Sequence, residues 1–193
     1  MKRFYKTAEA GTAPGGHVVR LDGKVLKTPL QKSLILSEAL ARAVAAEWAA
    51  QGADVLPATM PMTRLANTMV DKAEGYERTQ MNGEVCRYAE SDLICYFAAH
   101  PADLVARQKA TWEPLVDWMK SRFGISFATV SGIRYQQQSP AALAAARAAV
   151  EALDAGAFTV AQAVLSVTGS LAIALALQEG FLTAEEAFHA ATI

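Results

Sequence analysis

The chain has 193 residues, 52% of them hydrophobic and 19% charged, and its formal net charge is −1. This length fits one domain or two small ones, and the composition excludes an intrinsically disordered chain. The near-neutral charge argues against a nucleic-acid-binding protein. Alanine supplies much of the apolar content, which favours helices.

The first 36 residues predict a small antiparallel β-rich lobe. Strand-like patterns cover residues 4–7, 17–21, 24–28 and 34–36, with turns at 13–16 and at Asp22-Gly23. Asp-Gly between two apolar stretches is a strong hairpin signal. We expect three or four strands, which are too few to be stable alone and therefore need a packing partner.

From residue 37 onward the patterns predict a larger, mainly helical domain. Helices are expected at 37–51, 62–74, 101–123, 139–153, 159–178 and from 183, with one or two more in 76–98 broken near Asn82-Gly83, and an extended segment at 125–135. Ser37 and Ser139 fit the N-cap position, and Thr183 opens a capping-box pattern. The predicted fold class is α+β, with a β-rich lobe at 1–36 and a helical domain at 37–193.

Residues 160–177 form a largely apolar stretch of eighteen residues, which is the minimum length for a membrane span. The stretch contains Gln162, Ser166 and Ser170, so we interpret it as a buried core helix rather than a transmembrane helix. No membrane insertion is expected.

Features of the cysteines and of the two ends of the chain indicate a compartment. Cys86 and Cys95 lack the spacing of a zinc site or a disulfide framework and suit a reducing environment. The first residues lack the apolar core of a secretory signal peptide, so we expect the bacterial cytoplasm, or the mitochondrial matrix for eukaryotic relatives. The last helix runs to Ile193 without a cap, which leads us to expect that the natural chain continues.

Charge is distributed unevenly along the chain. Residues 1–36 carry seven basic and two acidic side chains, a net charge of +5, whereas residues 139–193 carry one basic and five acidic side chains, a net charge of −4. Each region is either ordinary solvated surface or a surface that steers a protein partner.

The sequence contains none of the common catalytic or nucleotide-binding motifs. It has no glycine-rich phosphate loop, no nucleophile elbow and no HExxH zinc motif. His17, His100 and His189 lie far apart along the chain, so we expect no metal site. The sequence thus predicts a protein that is not an enzyme and that has no cofactor and no small-molecule substrate.

Two alternatives stay open. A small hydrolase or transferase would use Asp92 and Arg64 together with a histidine. A single-stranded nucleic-acid-binding module is the weaker alternative, and it would use residues 2–6, which mix aromatic rings with positive charge.

Five residues are candidates for contact with a protein partner: Glu47, Trp48, Arg64, Asp71 and Asp92. Tryptophan and arginine are enriched at interface hot spots. A structural role competes with this interpretation, because Trp48 falls on the apolar stripe of its predicted helix and Asp92 fits an N-cap.

A series of short phrases, in fixed order, carries a resemblance to one protein family. The phrases are Arg3-Phe4-Tyr5-Lys6, Leu21-Asp22-Gly23-Lys24, Lys27-Thr28-Pro29, Glu47-Trp48 with Gln51, residues 57–71, Ser91-Asp92-Leu93 with Cys95-Tyr96, Gln108 with Trp112 and Trp118, and Gly169-Ser170-Leu171 with Ala174-Leu175. The chain resembles the assembly chaperones that hold the free α subunit of F1-ATPase, and the match runs nearly end to end.

This resemblance implies an ATP-independent chaperone that binds the newly made F1 α subunit and covers the surface that the β subunit later buries. It also implies a β-rich N-terminal domain and a helical C-terminal domain, as the residue patterns predict independently. Members of this family usually continue past the equivalent of Thr192-Ile193 into a helix with acidic residues and a Trp-Gly pair, which lies beyond the last residue here.

Overall fold

Three antiparallel strands begin the fold. The computed structural model describes residues 1–75 and 77–193, and its first sheet has the order β1-β2-β3. The strands are β1 (Ala8–Ala13), β2 (Gly16–Leu21) and β3 (Lys24–Val25). Asp22 and Gly23 have φ angles of 47° and 80°, and two consecutive positive φ angles are what a type I′ hairpin turn requires. The predicted hairpin at Asp22-Gly23 is therefore confirmed.

Two of the predicted strands do not form. Residues 4–7 are irregular chain that leads into β1. Residues 34–36 join β2 only through a single bridge between His17 and Leu36. Both predictions followed apolar residues that face the core, such as Tyr5, which is 6% exposed. Alternating apolar residues indicated burial correctly, but burial does not require a ladder of backbone hydrogen bonds.

One helix packs on this sheet, and a second helix packs on the first. Helix α1 (Glu38–Ala49) begins at Ser37, whose hydroxyl accepts a hydrogen bond from the N–H of Leu40, as the N-cap prediction required. A short 3-10 turn precedes α2 (Pro61–Thr68), which continues into a π-helical turn at Met69–Ala73. Together they bury the following apolar side chains: Val19, Leu21, Leu34, Leu36, Ala41, Val44, Trp48, Met60, Ala66 and Val70.

The chain divides into two compact units, Met1–Arg78 (unit 1) and Thr79–Ile193 (unit 2). The sequence proposes a boundary at residue 36/37 instead, where strand-like patterns stop. The two divisions differ because α1 and α2 share a core with the sheet. A change of residue pattern marks a change of secondary structure, whereas compactness depends on which apolar faces meet.

Unit 2 is mainly helical. Its helices are α3 (Arg78–Arg87), α4 (Ala102–Phe123), α5 (Pro140–Glu151), α6 (Ala155–Thr168), α7 (Leu171–Gln178) and α8 (Ala184–Ala191). The two-residue strands β4 (Tyr96–Phe97) and β5 (Val130–Ser131) pair in parallel. The predicted helical stretch 76–98 starts at residue 76, which lies outside the described residues, and α3 passes through Asn82-Gly83 without the predicted break.

Helix α7 lies at the centre of unit 2, where α4, α6 and α8 pack around it. Residues 171–176 are each 1% exposed or less. The prediction of one helix over 159–178 is wrong, because Gly169 ends α6 with a φ of 69° and Ser170 caps α7 through a hydrogen bond from the N–H of Ile173. The continuous apolar run indicated burial but masked a change of direction between two helices.

The apolar stretch 160–177 is thereby divided between helices of 14 and 8 residues. Over residues 1–75 and 77–193, no helix has both the length and the hydropathy that a membrane crossing needs.

Trp112 joins α4 to α8. Its side chain is 2% exposed, and its indole N–H donates a hydrogen bond of 2.8 Å to the carbonyl of Ala190. Burying the ring while satisfying its single donor makes the contact both apolar and directional. The predicted stripe of α4 is confirmed at this position, and Gly124 ends the helix in the left-handed conformation, as expected from the sequence.

A pair of glycine substitutions tests the break between α6 and α7. Gly169→Ala is expected to lower the free energy of unfolding by about 1–2 kcal/mol, because a residue with a Cβ is strained at this positive φ. Gly83→Ala is the matched control inside α3 and is expected to raise the free energy of unfolding by roughly 0.5–1 kcal/mol. Neither new Cβ meets an atom within 4 Å, so steric overlap contributes to neither value. Denaturant titration measures both, and effects of the same sign would contradict this account.

Candidate functional site

Glu47 caps a helix other than its own. One carboxylate oxygen accepts a hydrogen bond from the N–H of Met62 at 2.6 Å, and the other accepts from the N–H and hydroxyl of Thr63 at 2.8 and 2.7 Å. These are N–H groups of the first turn of α2, whose own N-cap residue, Met60, supplies no side-chain cap. The first amides of a helix have no partner within it, so Glu47 of α1 fills a need of α2.

Trp48 is a core residue of unit 1. The side chain is 9% exposed, and its ring lies edge-on to that of Tyr5 with 5.5 Å between centroids. The Tyr5 hydroxyl donates a hydrogen bond of 2.6 Å to the Trp48 carbonyl. The indole N–H has no partner among the described residues, so the ring contributes apolar contact rather than a polar anchor.

Asp71 fixes a loop. Its carboxylate accepts a hydrogen bond of 2.5 Å from the Thr28 hydroxyl and one of 3.2 Å from the N–H of Leu30. The Lys32 ammonium donates to the carbonyls of Val70 and Asp71 at 2.9 and 3.2 Å. The π-helical turn Met69–Ala73 therefore holds residues 28–32, which follow β3, in place.

Asp92 is completely buried. Its carboxylate accepts hydrogen bonds from the Ser170 hydroxyl at 2.6 Å, the N–H of Ala172 at 3.1 Å and the N–H of Ile94 at 3.3 Å. Two of these donors belong to Ser170 and Ala172 at the start of α7, so Asp92 adds a second cap to that helix from about 80 positions away in the sequence. The predicted N-cap role is confirmed for the short 3-10 turn Leu93–Cys95, and the contact with α7 extends it.

Burial raises the pKa of Asp92 to about 6, and the hydrogen bonds from Ser170, Ala172, Ile94 and Leu171 oppose that rise. The donors are neutral, so they replace water only in part around a buried charge. A carboxylate enclosed by these donors has no open face for a substrate. The enzyme alternative based on Asp92 therefore finds no support in this geometry.

Arg64 is the solvent-exposed member of the five candidates. It lies on α2, and its guanidinium makes no hydrogen bond or ion pair within the described part of the chain. An exposed arginine free of internal partners is available to a partner protein, whereas Trp48 and Asp92 are enclosed in the cores of their units. Partner contact by all five stays a prediction.

Sequence reasoning missed the exposed apolar side chains that line two grooves. In unit 1, a groove of about 400 Å³ is lined by Phe4, Tyr5, Leu21, Lys24, Leu26 and Lys27, and we call it the Phe4 groove. Phe4 is 64% exposed although its neighbour Tyr5 is buried. The adjacent aromatic residues Phe4 and Tyr5 could have indicated an exposed ring in this region. The order of residues in the sequence does not reveal which of the two rings faces solvent.

In unit 2, a groove of about 560 Å³ separates α4 from α8, and we call it the α4–α8 groove. Its apolar wall includes Pro114, Leu115 and Phe181, and its rim includes Glu185 and His189. The ring of Phe181 stacks on Trp118 with 4.9 Å between centroids, which fixes the wall. A groove with an apolar wall and a charged rim suits a protein segment.

Removal of the Glu47 carboxylate tests its role as a cap. Glu47→Ala leaves the N–H groups of Met62 and Thr63 without their acceptor, so we expect the free energy of unfolding to fall by about 1–3 kcal/mol. Arg64→Ala, on the exposed face of α2, is the control and is expected to change the free energy of unfolding by less than about 0.5 kcal/mol. Urea titration followed by circular dichroism measures both, and an unaffected Glu47→Ala protein would show that α2 does not need this cap.

The buried carboxylate also predicts a pH dependence of stability. The pKa of Asp92 is about 6 in the folded chain and about 4 in the unfolded chain. Between about pH 4 and pH 6, Asp92 is therefore protonated to a greater extent in the folded state than in the unfolded state. Stability contributed by this group is therefore present below about pH 4 and declines as the pH rises through about 6, by on the order of 3 kcal/mol.

Asp92→Asn removes this titration, so the difference in unfolding free energy between the variant and the parent chain is expected to vary with pH over that window. Asp103→Asn, at an exposed position in α4, is the control. A difference that stays flat from pH 4 to pH 7 would contradict the raised pKa of Asp92.

Comparisons with known proteins find relatives that cover both units of the chain. A family model described as ATP12 chaperone protein matches residues 2–120. The crystal structure of Atp12 from Paracoccus denitrificans is 32% identical with a TM-score of 0.90, covering 98% of this chain and 82% of that one. The crystal structure of the Atu1473 protein from Agrobacterium tumefaciens is 38% identical with a TM-score of 0.89, covering 98% of this chain and 72% of that one.

A curated relative, the mitochondrial protein atp12 of Schizosaccharomyces pombe, is 26% identical over 145 residues. That alignment covers 68% of this chain and 48% of the relative, so the chain spans about half of the relative's length. The Paracoccus denitrificans and Schizosaccharomyces pombe relatives are both named as Atp12 proteins. The family resemblance predicted from the sequence is confirmed: the chain belongs to the ATP12 chaperone family.

Proposed function

We propose that this chain is an ATP-independent assembly chaperone that binds the unassembled F1 α subunit of ATP synthase and shields its β-facing surface. The observation that carries the proposal is membership of the ATP12 chaperone family, with structural similarity over 98% of the chain. The proposed place of action is the bacterial cytoplasm, and the mitochondrial matrix for eukaryotic relatives.

The physical need for such a protein follows from how obligate assemblies are built. A subunit that buries a large apolar interface in its complex exposes that interface while it waits for its partner, and exposed apolar patches aggregate. A chaperone that covers the interface needs no nucleotide chemistry. It is released when the true partner competes for the same surface, since binding to the free subunit alone shifts the equilibrium.

The surfaces of the two units support this proposal. The Phe4 groove and the α4–α8 groove each present apolar side chains beside charged rims, which is the usual make-up of a protein-binding site. Most of the candidate carboxylates serve helix termini or loops within this chain. Of the sequence candidates, Arg64 is the exposed side chain that we propose as a direct contact with the α subunit.

Co-purification tests the proposal. The chain is co-expressed with the F1 α subunit, and we expect α to stay soluble and to elute with the chain, then to be released when excess β subunit is added. An unrelated aggregation-prone protein replaces α as the specificity control. Aggregation of α regardless of the chain, without a complex, would overturn the proposal.

Arg64→Glu in the same assay is expected to weaken retention of α at least tenfold, because it places like charges together at a contact where Arg64 faces an acidic group of α. Lys120→Glu makes the same charge change at an exposed position of α4 and is expected to leave retention unchanged. Equal effects of the two variants would remove Arg64 from the proposed contact surface.

A further inference from the structure

We propose that the Phe4 groove binds an extended protein segment that alternates apolar and acidic side chains. The inference rests on the proposed function for the identity of the partner, because the segment would belong to the unassembled α subunit. The groove itself is argued from four features of unit 1: a fixed exposed ring, an apolar floor, an open strand edge and a basic rim.

Phe4 is exposed, and contacts of its neighbours hold the backbone beside it. On one side of it, the Arg3 guanidinium donates hydrogen bonds to the carbonyls of Tyr5, Gln51 and Lys6 at 3.1, 2.5 and 3.0 Å. The Arg3 guanidinium also lies 4.6 Å from the centre of the Tyr5 ring. These contacts hold the backbone on both sides of Phe4, whose ring lies edge-on to Tyr5 with 5.3 Å between centroids.

An exposed aromatic ring costs free energy in water, and fixing it in place does not lower that cost. Pre-organisation does lower the cost of binding, since little side-chain freedom is lost when a partner arrives. Aromatic anchors of this kind are typical of interface hot spots. The Arg3 contacts therefore account for how Phe4 can act as an anchor rather than as a loose side chain.

The floor of the groove is aliphatic and its volume suits a few side chains. Leu21 is 6% exposed, Leu26 is half-buried, and Val25 is 38% exposed. The volume of about 400 Å³ lies in the range of ordinary binding pockets. Apolar side chains of a partner would gain about 25 cal/mol for each Å² that they remove from water there.

Strand β3 gives the groove an edge for backbone pairing. Leu26 donates its N–H to the carbonyl of Val19 at 2.8 Å. Along an antiparallel strand, the residues that bond to one neighbour alternate with residues whose N–H and C=O point to the other side. The N–H and C=O of Val25, which lies opposite Arg20, therefore point away from β2. The sheet order places the two-residue strand β3 at an edge, and Lys27 is already bridged to Ser33, so the backbone groups open to a partner are those of Val25. An extended segment pairs with such an edge, and its alternate side chains then point into the groove.

The rim selects for acidic residues. Lys24 and Lys27 are exposed and line the groove. The acidic residue in the lining, Asp22, already accepts hydrogen bonds from the N–H groups of Lys6 and Thr7 at 2.9 and 2.8 Å, and these bonds lower the pKa of its carboxyl group. Asp22 therefore stays ionised, and the rim offers a partner two positive charges and one negative charge, in a region whose net charge is +5.

A ring beside positive charges also fits a single-stranded nucleic acid, whose bases stack on aromatic side chains. The groove favours a protein segment, because Phe4 is its exposed ring and Tyr5 is buried beneath it. The strand edge offers hydrogen bonds that pair with a peptide backbone and have no counterpart in stacked bases. Nucleic-acid binding is therefore an outcome that the test must be able to detect.

The test uses the full chain and a dye-labelled synthetic peptide of eight residues that alternates glutamate with valine, with fluorescence anisotropy as the readout. We expect saturable binding that weakens as salt concentration rises. A peptide that alternates lysine with valine and a labelled oligouridylate are the comparison probes, and both are expected to bind at least tenfold more weakly.

Two variants locate the binding. Phe4→Ala removes the anchor and Lys24→Glu reverses the rim charge, and each is expected to weaken binding of the acidic peptide at least tenfold. Leu56→Ala, at an apolar side chain that is 56% exposed elsewhere in unit 1, and Lys120→Glu, in unit 2, are the matched controls and are expected to leave it unchanged. Unchanged binding by the groove variants, equal binding of the lysine peptide, or preference for oligouridylate would each overturn the inference.

The same variants in co-purification with F1 α separate the two proposals. If the parent chain retains α while Phe4→Ala and Lys24→Glu retain it equally well, the Phe4 groove is not the contact and the proposed function stands. If the parent chain fails to retain α, the proposed function falls whatever the peptide does. Loss of α retention in both groove variants, with the controls intact, supports the groove and the function together.

Discussion

The structure depends on carboxylates that satisfy the N-terminal amides of helices remote from them in sequence. A helix leaves its first N–H groups without internal partners, and a buried helix end must find acceptors elsewhere. In unit 1, Glu47 reaches the start of α2, and in unit 2, Asp92 reaches the start of α7. Each contact fixes where a helix begins and how it sits on its neighbours.

Because these carboxylates bind helix ends within their own units, the polar residues that stabilise the fold differ from the apolar residues that face solvent. Glu47, Asp71 and Asp92 are engaged inside their own units, and Trp48 lies in a core. Exposed aromatic side chains such as Phe4 and Phe188, which are 64% and 66% exposed, are left at the surface. Units that present apolar side chains at their surfaces suit a member of the ATP12 chaperone family.

The sequence predicted the features that depend on local chemistry. Asp22-Gly23 specified its own hairpin turn, and Ser37, Ser139 and Thr183 specified the starts of their helices, because each signal lies within a few residues of its effect. The α+β fold class is confirmed for the same reason. The break at Gly169-Ser170 was missed because a buried helix is apolar on every side, so the continuous run showed no period. The capping roles of Glu47 and Asp92 on distant helices had no local signal at all, since their partners lie 15 and about 80 positions away.

Hydrogen–deuterium exchange on the chain, alone and in complex with the F1 α subunit, tests most directly whether exposed apolar surfaces rather than the buried carboxylates carry the interaction. We expect slower exchange in the complex at residues 3–6 and 24–27 and around the α4–α8 groove, with the amides next to Asp92 unchanged. Slower exchange confined to the segments around Asp92 and the start of α7, with residues 3–6 and 24–27 unaffected, would contradict it.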